Sequence, residues 1–586
     1  LLAGFNTPDS DPTIALAAEI AAGYAALDNP GIEPGRNQET MGDRKHRILI
    51  LGGGFGGVYT ALYLDKAMTR AERERTEVTI VSNENYIVFQ PFLPEVISGT
   101  IETLHCITPI RRIARQARLY TRRIEEIDTQ KKTVRLAPDF LPKPVTLEYD
   151  ELVVGLGTRL NYALVPGMRE HSIPFKYLGD ALRLRNETVR ALEEADTEQN
   201  PVEKKKLLTF VVGGGGFSGV ECIAELNDFL TAAIKDYSNI CREEIRCVLL
   251  QSADRILPEL GESLALYAQS VLGKRGVEIR LNTRLKAISA DSAVIQNKAT
   301  KEIERIEART IVSTVPAAAH PLIKSLPFEL ERDRIVVTKY LDVPKFPGHW
   351  ALGDCASVPQ IDGIKSPPTA QHALRQAKTC ATNIVARMRG KSMKQFRFTG
   401  LGKLASLGQR SAVAEVFGVK IKGILAWFFW RTVYLFKFPG LDRRIRIAAD
   451  WTLDLILPRD ITQLQIFPPE HVKQEHFHSG EMIFEQGDFG NKFYVLTDGQ
   501  AEIVKNGNVV ATLEKGAPFG EIALVENSPR TAGVRAKTDC TLVSVARPAF
   551  KKLLTHLPGV RDSVGGIMQS YGVDPSGLDA PDEDED

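Results

Sequence analysis

Three scarcities narrow the chemistry of this chain before any motif is considered. Its seven cysteines (Cys106, Cys222, Cys241, Cys247, Cys355, Cys380 and Cys540) contain no Cys-x-x-Cys pair and no metal-ligand spacing. That argues against a disulfide scaffold, predicts no metal site, and fits a reducing, cytosolic setting. Neither sign of charge predominates: 74 Lys and Arg face 73 Asp and Glu, for a net charge of +1. Nothing electrostatic therefore argues for nucleic acid as a partner. No apolar segment of signal-peptide form follows a basic leader, although Ile14 to Ala26 is Ala-rich. Residues 1–45 are read as an extension outside the native protein, with Met41 the expected natural start and no function assigned.

What is present is glycine in two ordered turns. The strand-like run Arg47-Ile48-Leu49-Ile50-Leu51 leads into Gly52-Gly53-Gly54-Phe55-Gly56-Gly57, and Thr209-Phe210-Val211-Val212 leads into Gly213-Gly214-Gly215-Gly216-Phe217-Ser218-Gly219. Helical patterns follow both, carrying Val58, Ala61, Leu62 and Leu64 in one and Val220, Ile223 and Leu226 in the other. The first glycine of such a turn permits the bend, the second lets backbone amides approach a pyrophosphate, and the third allows close helix–strand packing. The helix N-terminus then holds the anion. A single G-x-G-x-x-G says little. Two of them, each followed by a second apolar strand (Val78–Val81 and Cys247–Leu250), imply two nucleotide cofactors.

At 586 residues the chain has room for three or four domains. The predicted class is α/β: two Rossmann-like dinucleotide-binding domains, a membrane-associating helical segment and a C-terminal β-roll. The first nucleotide domain spans 46–165 and ends in a strand broken at Gly155 and Gly157-Thr158. After a connection (166–204), the second spans 205–340. Trp350-Ala351-Leu352-Gly353-Asp354 then returns the chain to the first domain over 341–392, since an apolar strand again delivers a carboxylate after a glycine.

Composition changes over 393–465. Ile424 to Phe436 carries Trp427, Phe428, Phe429, Trp430, Tyr434 and Phe436, with Arg431 inside it. As a helix it would span only about 20 Å, against a hydrocarbon thickness of about 30 Å, so it should not cross a bilayer. Flanking Lys420, Lys422, Lys437, Arg443, Arg444 and Arg446 suit a helix lying among anionic headgroups. The alternative is a core helix capped by solvated basic residues. From 466 to about 570 the strands become short and the turns frequent, as expected of a separate all-β unit. Residues 571–586 end in Asp582-Glu583-Asp584-Glu585-Asp586 and read as a disordered acidic tail.

Over residues 46–465 the chain resembles the type II (alternative) NAD(P)H:quinone oxidoreductases. The resemblance is carried by Gly52–Gly57, Asn85–Pro94, Gly219-Val220-Glu221, Gly353-Asp354 and Pro368–Ala373. It implies FAD on the first turn, held by Gly52, Gly54, Phe55, Gly57, Ser82, Asn83, Gly157, Thr158, Gly353 and Asp354, with Phe89–Pro94 near the flavin ring. NAD(P)H would use Gly214, Gly216 and Gly219, with Glu221 near the nicotinamide and Gln371 beside the acceptor. Plainer readings exist. An Asp after a strand is often a turn residue, and a Glu in a first helical turn complements the dipole. The implied reaction carries electrons from NADH, or NADPH, through FAD to a membrane quinone without pumping protons. The enzyme would sit peripherally on the cytoplasmic side of the cell membrane, with a homodimer left open.

Three departures from the family pattern matter. Ser82, followed by Asn83, stands where an acid usually accepts the flavin ribose hydroxyl. Gln251 stands where an acid would repel the 2′-phosphate of NADPH, so that NADPH is admitted, with Arg255 available nearby. The quinone-side pattern Ala-Gln-x-Ala-x-Gln reads Ala370-Gln371-His372-Ala373-Leu374-Arg375, with Gln376 one place late, which puts the quinone acceptor in question.

Residues 466–570 resemble cyclic-nucleotide-binding domains through Ile483–Gly499 and Phe519–Ala532. The resemblance implies a pocket for cAMP or cGMP: Gly520, Ile522 and Ala523 offer the amides of a short helix to the phosphate, Arg530 binds its oxygens, Glu521 takes the ribose hydroxyl and Thr531 faces the purine. The competing reading is a retained fold without ligand. The flavin unit has its own competitors: a sulfide:quinone oxidoreductase, which would need placed cysteines such as Cys106, Cys222 or Cys355, and a redox and cyclic-nucleotide sensor that does not turn over.

Overall fold

The computed structural model describes residues 44–550 apart from 138–143, 315–316, 361–362, 409, 464–471, 478, 489, 491, 526–528 and 548, with a few further positions between 554 and 569. Met41, the Ala-rich extension and the acidic tail lie outside the described residues. By compactness the chain divides into Leu1–His46 and Arg47–Asp586. The architecture below is that of the second unit.

The first part comprises β1 (His46–Leu51), α1 (Phe55–Ala67), β2 (Thr76–Ser82), α2 (Leu93–Ile97), β3 (Arg118–Thr121) and β4 (Glu151–Val154). A second series follows: β5 (Ile173–Pro174), α3 (Leu178–Thr197), β6 (Thr209–Gly213), α4 (Phe217–Ala233), β7 (Arg246–Leu250), β8 (Val277–Arg280) and β9 (Thr310–Ser313). It forms its own parallel sheet in the order β5-β9-β6-β7-β8. The chain then returns. β10 (His349–Ala351) pairs in parallel with β4 and completes a sheet ordered β10-β4-β1-β2-β3, after which α5 (Ala370–Met388) packs on α1. The central strands β4 and β6 are buried along their whole length, as expected of parallel strands covered on both faces, while the edge strands β3 and β8 carry polar residues.

Beyond α5, an antiparallel meander of β11 (Gly402–Ser406), β12 (Ala412–Val416) and β13 (Val419–Gly423) leads into α6 (Ile424–Lys437) and α7 (Leu441–Leu453). The aromatic run divides between the two readings open to it, a core helix and a helix among headgroups. Ala426, Trp427 and Trp430 of α6, with Ile447 and Trp451 of α7, are buried in the main core. Arg431, inside the run, reaches Glu95 at 3.4 Å, between the Trp427 and Trp451 rings. The other face remains apolar and exposed through Leu425, Phe428, Phe436, Leu441, Ile445 and Leu453. Among the described residues, no helix is long and apolar enough to cross a membrane.

The last part is an antiparallel roll of β14 (Val472–Phe477), β15 (Met482–Phe484), β16 (Lys492–Asp498), β17 (Ala501–Lys505), β18 (Asn508–Leu513), β19 (Pro518–Phe519), α8 (Ile522–Val525), β20 (Gly533–Ala536) and β21 (Cys540–Ala546). Its two four-stranded sheets run β14-β21-β16-β19 and β15-β20-β17-β18. They close on a core containing Tyr494, Leu496, Phe519 and Leu542.

Candidate functional site

Backbone geometry builds the first cradle. Gly52 has φ +115°, and a Cβ there would lie 2.2 Å from the Gly155 carbonyl oxygen. A Cβ on Gly57 would lie 1.9 Å from the Gly52 oxygen, so α1 can approach β1 only with glycine at that position. Gly54 has no atom within 4 Å of its missing Cβ, leaving the helix N-terminus open to a ligand. Above it lies a cleft of about 290 Å³ lined by Gly52, Gly54, Phe55, Ser82, Asn83, Gly157, Thr158, Gly353 and Asp354. Gly57 is the only FAD-assigned residue that does not line the cleft; it acts underneath, in packing.

Several lining residues carried no sequence signal. Lys176, from the connection before α3, donates to the Thr158 carbonyl and, at 3.0 Å, to Thr158 Oγ1. Burial lowers its pKa to about 8, opposed first by Asp354. Burial raises the pKa of Asp354 in turn, opposed by Lys176 and Arg334. Glu84, two residues past Ser82, also lines the cleft and donates its amide to Ser82 Oγ at 3.2 Å. Its carboxyl is raised by burial and by Asp180. A cradle emptied of side chains beside a cation–carboxylate pair matches the phosphate and hydroxyl groups of a flavin dinucleotide.

Gln376 has a defined task. It is fully buried, and its Oε1 accepts the Gly353 amide at 2.8 Å, so α5 holds the Gly353-Asp354 turn. Gln371 spans to the meander, accepting from the Leu401 amide at 3.2 Å and donating to the Gly402 carbonyl at 3.4 Å. Arg375 lies over the Phe398 ring.

The second cradle repeats the backbone of the first. Gly214 has φ +115°, and a Cβ on Gly219 would lie 1.8 Å from the Gly214 oxygen. Here Gln251 turns inward. Its Oε1 accepts from the Gly215 amide at 3.2 Å and the Ser252 amide at 3.1 Å, and its Nε2 donates to the Arg255 carbonyl. The residue expected to face a ribose therefore also braces the turn. Arg255 is half-buried, with a long 3.5 Å contact to the Pro258 carbonyl. Thr314, without a sequence signal, donates to the Gly213 carbonyl at 3.0 Å. Glu221 is buried on α4, where its Oε1 accepts the Ser406 amide of β11 at 2.9 Å. Burial raises its carboxyl to about 8, opposed by the Ser406 amide and the Trp430 indole.

Six of the seven cysteines are buried and Cys241 is exposed, all as free thiols. Burial raises Cys106 to about 12 and Cys355 to about 11, which disfavours the thiolate that sulfur transfer needs.

In the roll, Glu521 follows Gly520 (φ +88°) and is only 2% exposed; among the described residues its Oε2 has no hydrogen-bond partner. A buried acceptor without a donor is costly, and a ligand hydroxyl would relieve it. Arg530 is also buried. It donates to the Gly520 carbonyl and, at 2.6 Å, to the Lys492 carbonyl, and stacks 4.1 Å from the Phe484 ring centroid. Both carbonyl contacts are made by Nη atoms of a guanidinium that carries five N–H donors, the geometry suited to an anion. Ala523 is buried in α8 and Thr531 is exposed.

Two glycine cradles on parallel sheets, joined by a returning strand and followed by a β-roll, define a two-nucleotide oxidoreductase carrying a sensor-type domain. Residues 46–377 match the family described as pyridine nucleotide-disulphide oxidoreductase, and the chain belongs to it. Residues 401–460 match the NDH2 C-terminal domain, and residues 474–556 the cyclic nucleotide-binding domain. The chain is 28% identical over 424 residues to a probable NADH dehydrogenase of Dictyostelium discoideum, covering 71% of this chain and 91% of that one. It is 28% identical over 459 residues to the type II NADH:quinone oxidoreductase Ndh of Mycobacterium tuberculosis, covering 76% and 96%. The structure of NDH2 from Plasmodium falciparum in complex with NADH shares the fold, with a TM-score of 0.67 at 22% identity, over 72% of this chain and all of that one.

Proposed function

We propose that the protein is an FAD-dependent NADH dehydrogenase that delivers electrons to a membrane quinone, with a cyclic nucleotide as regulatory ligand. One observation carries this reading. α4, which opens the second cradle, is buried against both α2 beside the first cleft and β11 of the NDH2-type C-terminal module. The flavin cleft, nicotinamide cradle and C-terminal module are therefore built around one helix. Bound FAD would supply the two-electron redox chemistry between NADH and the acceptor. The protein's task is positioning: Gly52, Gly54 and the α1 N-terminus receive the pyrophosphate, Lys176 and Asp354 stand in the cleft beside it, and Gly214, Gly216 and Gly219 receive NADH. NADPH is admitted because Gln251 carries no charge.

The exposed apolar face of α6 and α7, with basic residues around it, supports peripheral docking on a cytoplasmic anionic leaflet. The unpartnered Glu521 oxygen supports a ribose hydroxyl in the roll, hence cAMP or cGMP. Purified protein should be yellow, bleach on anaerobic NADH addition, and recolour when a short-chain quinone follows. A colourless protein that cannot be reconstituted with flavin would reject the reading; bleaching without quinone-driven recovery would favour a sensor. Regulation is tested by NADH oxidation on vesicles with and without cAMP or cGMP: altered turnover or docking is expected, and no change at saturation would reject it.

A further inference from the structure

One border of the flavin cleft carries cations where amides are expected. Ala370 and Ala373 of α5 line the cleft, and Arg375, two residues further on, stands where the pattern Ala-Gln-x-Ala-x-Gln has its second glutamine. Its guanidinium lies 4.9 Å over the Phe398 ring, which His372 meets edge-on at 5.0 Å. Gln376 does not stand in for the missing amide: one place on a helix is a rotation of about 100°, and its side chain is buried against Gly353. Lys437, the last residue of α6, is close enough to feel Arg375. Partial burial of its ammonium first, and the Arg375 charge second, lower its pKa, although the side chain as a whole reaches solvent. The next residue, Phe438, packs 5.1 Å from Phe89, whose neighbours Val88 and Gln90 line the same cleft. Arg444 of α7 donates to the Phe438 carbonyl at 2.7 Å, while Asp442, the acid in the first turn of α7, is drawn off to Arg112 at 2.9 Å. Among the described residues, no carboxylate lies in ion-pair range of Arg375, Lys437 or Arg444.

Like charges gathered without a counter-ion repel one another, and half-burial beside a cleft removes part of the water that would screen them. An anion between them relieves that repulsion and gains charge-assisted hydrogen bonds. A neutral quinone offers only carbonyl dipoles against the desolvation of the cations. We propose that Arg375, together with Lys437, selects a quinone acceptor that carries a negative charge on a ring substituent. This rests on the proposed dehydrogenase reading and narrows its substrate class. The substituent takes no part in the redox balance. NADH supplies two electrons and one proton, water supplies the second proton, the two quinone carbonyls become quinol hydroxyls, and the anionic group leaves with its charge unchanged. Anionic lipid headgroups carry the same charge, but Arg375 sits on the helix that lines the cleft, which favours the acceptor.

The test uses the full chain with FAD and two water-soluble acceptors, a naphthoquinone sulfonate, which stays ionised, and a neutral methyl-naphthoquinone. The readout is the ratio of their kcat/KM values, in which their different redox potentials cancel between variants. Arg375→Gln, which restores the amide, should lower the ratio of charged to neutral acceptor about tenfold, and Lys437→Met about threefold. Arg375→Lys keeps the charge and should keep most of the preference. Lys391→Met, an exposed cation beyond the far end of α5, should leave the ratio alone. Flavin absorbance reports folding in each variant, and Lys437→Met carries the test if Arg375→Gln loses its flavin. An unchanged ratio in Arg375→Gln and Lys437→Met overturns the proposal, as does an equal change in Lys391→Met, which would mark the effect as bulk charge. Weaker binding of the two variants to anionic vesicles with the ratio intact would assign the cations to headgroups, again overturning it. If wild type does not bleach with NADH, or is recoloured by neither quinone, the dehydrogenase reading itself fails, and this inference with it.

Discussion

The two glycine turns share a backbone and differ in everything above it. Gly52 and Gly214 adopt the same φ, and Gly57 and Gly219 would collide with the same carbonyl of their own turn. Over the first turn the chain opens a cleft beside Lys176 and Asp354; over the second it lays the Gln251 amide across the loop. A tight turn needs only local sterics. The surface a ligand meets is supplied by residues distant in sequence.

The sharpest way to break this comparison is to add a methyl group at the matching position of each turn. Gly57→Ala should cost about 3 kcal/mol or more, because the new Cβ would collide with the Gly52 carbonyl oxygen, and yield protein without flavin. Gly219→Ala should keep the flavin and lose bleaching by NADH. Absorbance and denaturant unfolding measure both, and loss of flavin in Gly219→Ala would show that the turns are not separate sites.

A smaller effect is expected from Lys176→Met, which removes the stronger of the two cations opposing the raised Asp354 carboxyl. Flavin affinity should weaken about tenfold, roughly 1.4 kcal/mol, measured by equilibrium release; unchanged affinity would make the lysine a bystander. Gln251→Glu sharpens the other side. An acid there should shift preference toward NADH over NADPH by several-fold, about 1 kcal/mol, read from kcat/KM for both donors. A shift toward NADPH would refute the repulsion argument.

The mildest expectation concerns Glu221, whose carboxyl rises from 4.5 to about 8 on burial. Because the folded state binds the proton more tightly than the unfolded chain, the stability it contributes is complete below about pH 4.5 and is lost as pH rises through about 8. Glu221→Gln should therefore raise the melting temperature by a few degrees at pH 9, with little change at pH 5. A variant as alkali-sensitive as wild type would place the titration elsewhere.

Legibility followed the range of the interaction. The glycine turns could be read because φ near +115° is paid for within a few residues, and Gly353-Asp354 because an apolar strand ends there. In the roll, Glu521 and Arg530 were legible from spacing, but the stacking of Arg530 on Phe484 was not. The aromatic run misled in part: its composition suits a headgroup layer, yet Trp427 and Trp430 face inward because α6 has one side against β12 and β13.

The amino-acid order alone determined where the chain must bend, which strands must be buried, and where two glycine turns open into helices. Only the tertiary structure decided what stands over each of them. Lys176 came from a connection without a motif, Gln376 was drawn to Gly353, Gln251 was turned onto Gly215, and Glu95 was set against Arg431. Turn geometry arises from clashes between neighbouring residues and is written in short stretches. Charge and hydrogen-bond complementarity arise between residues hundreds of positions apart, and they come into being only when the packed core brings those residues within a few ångströms.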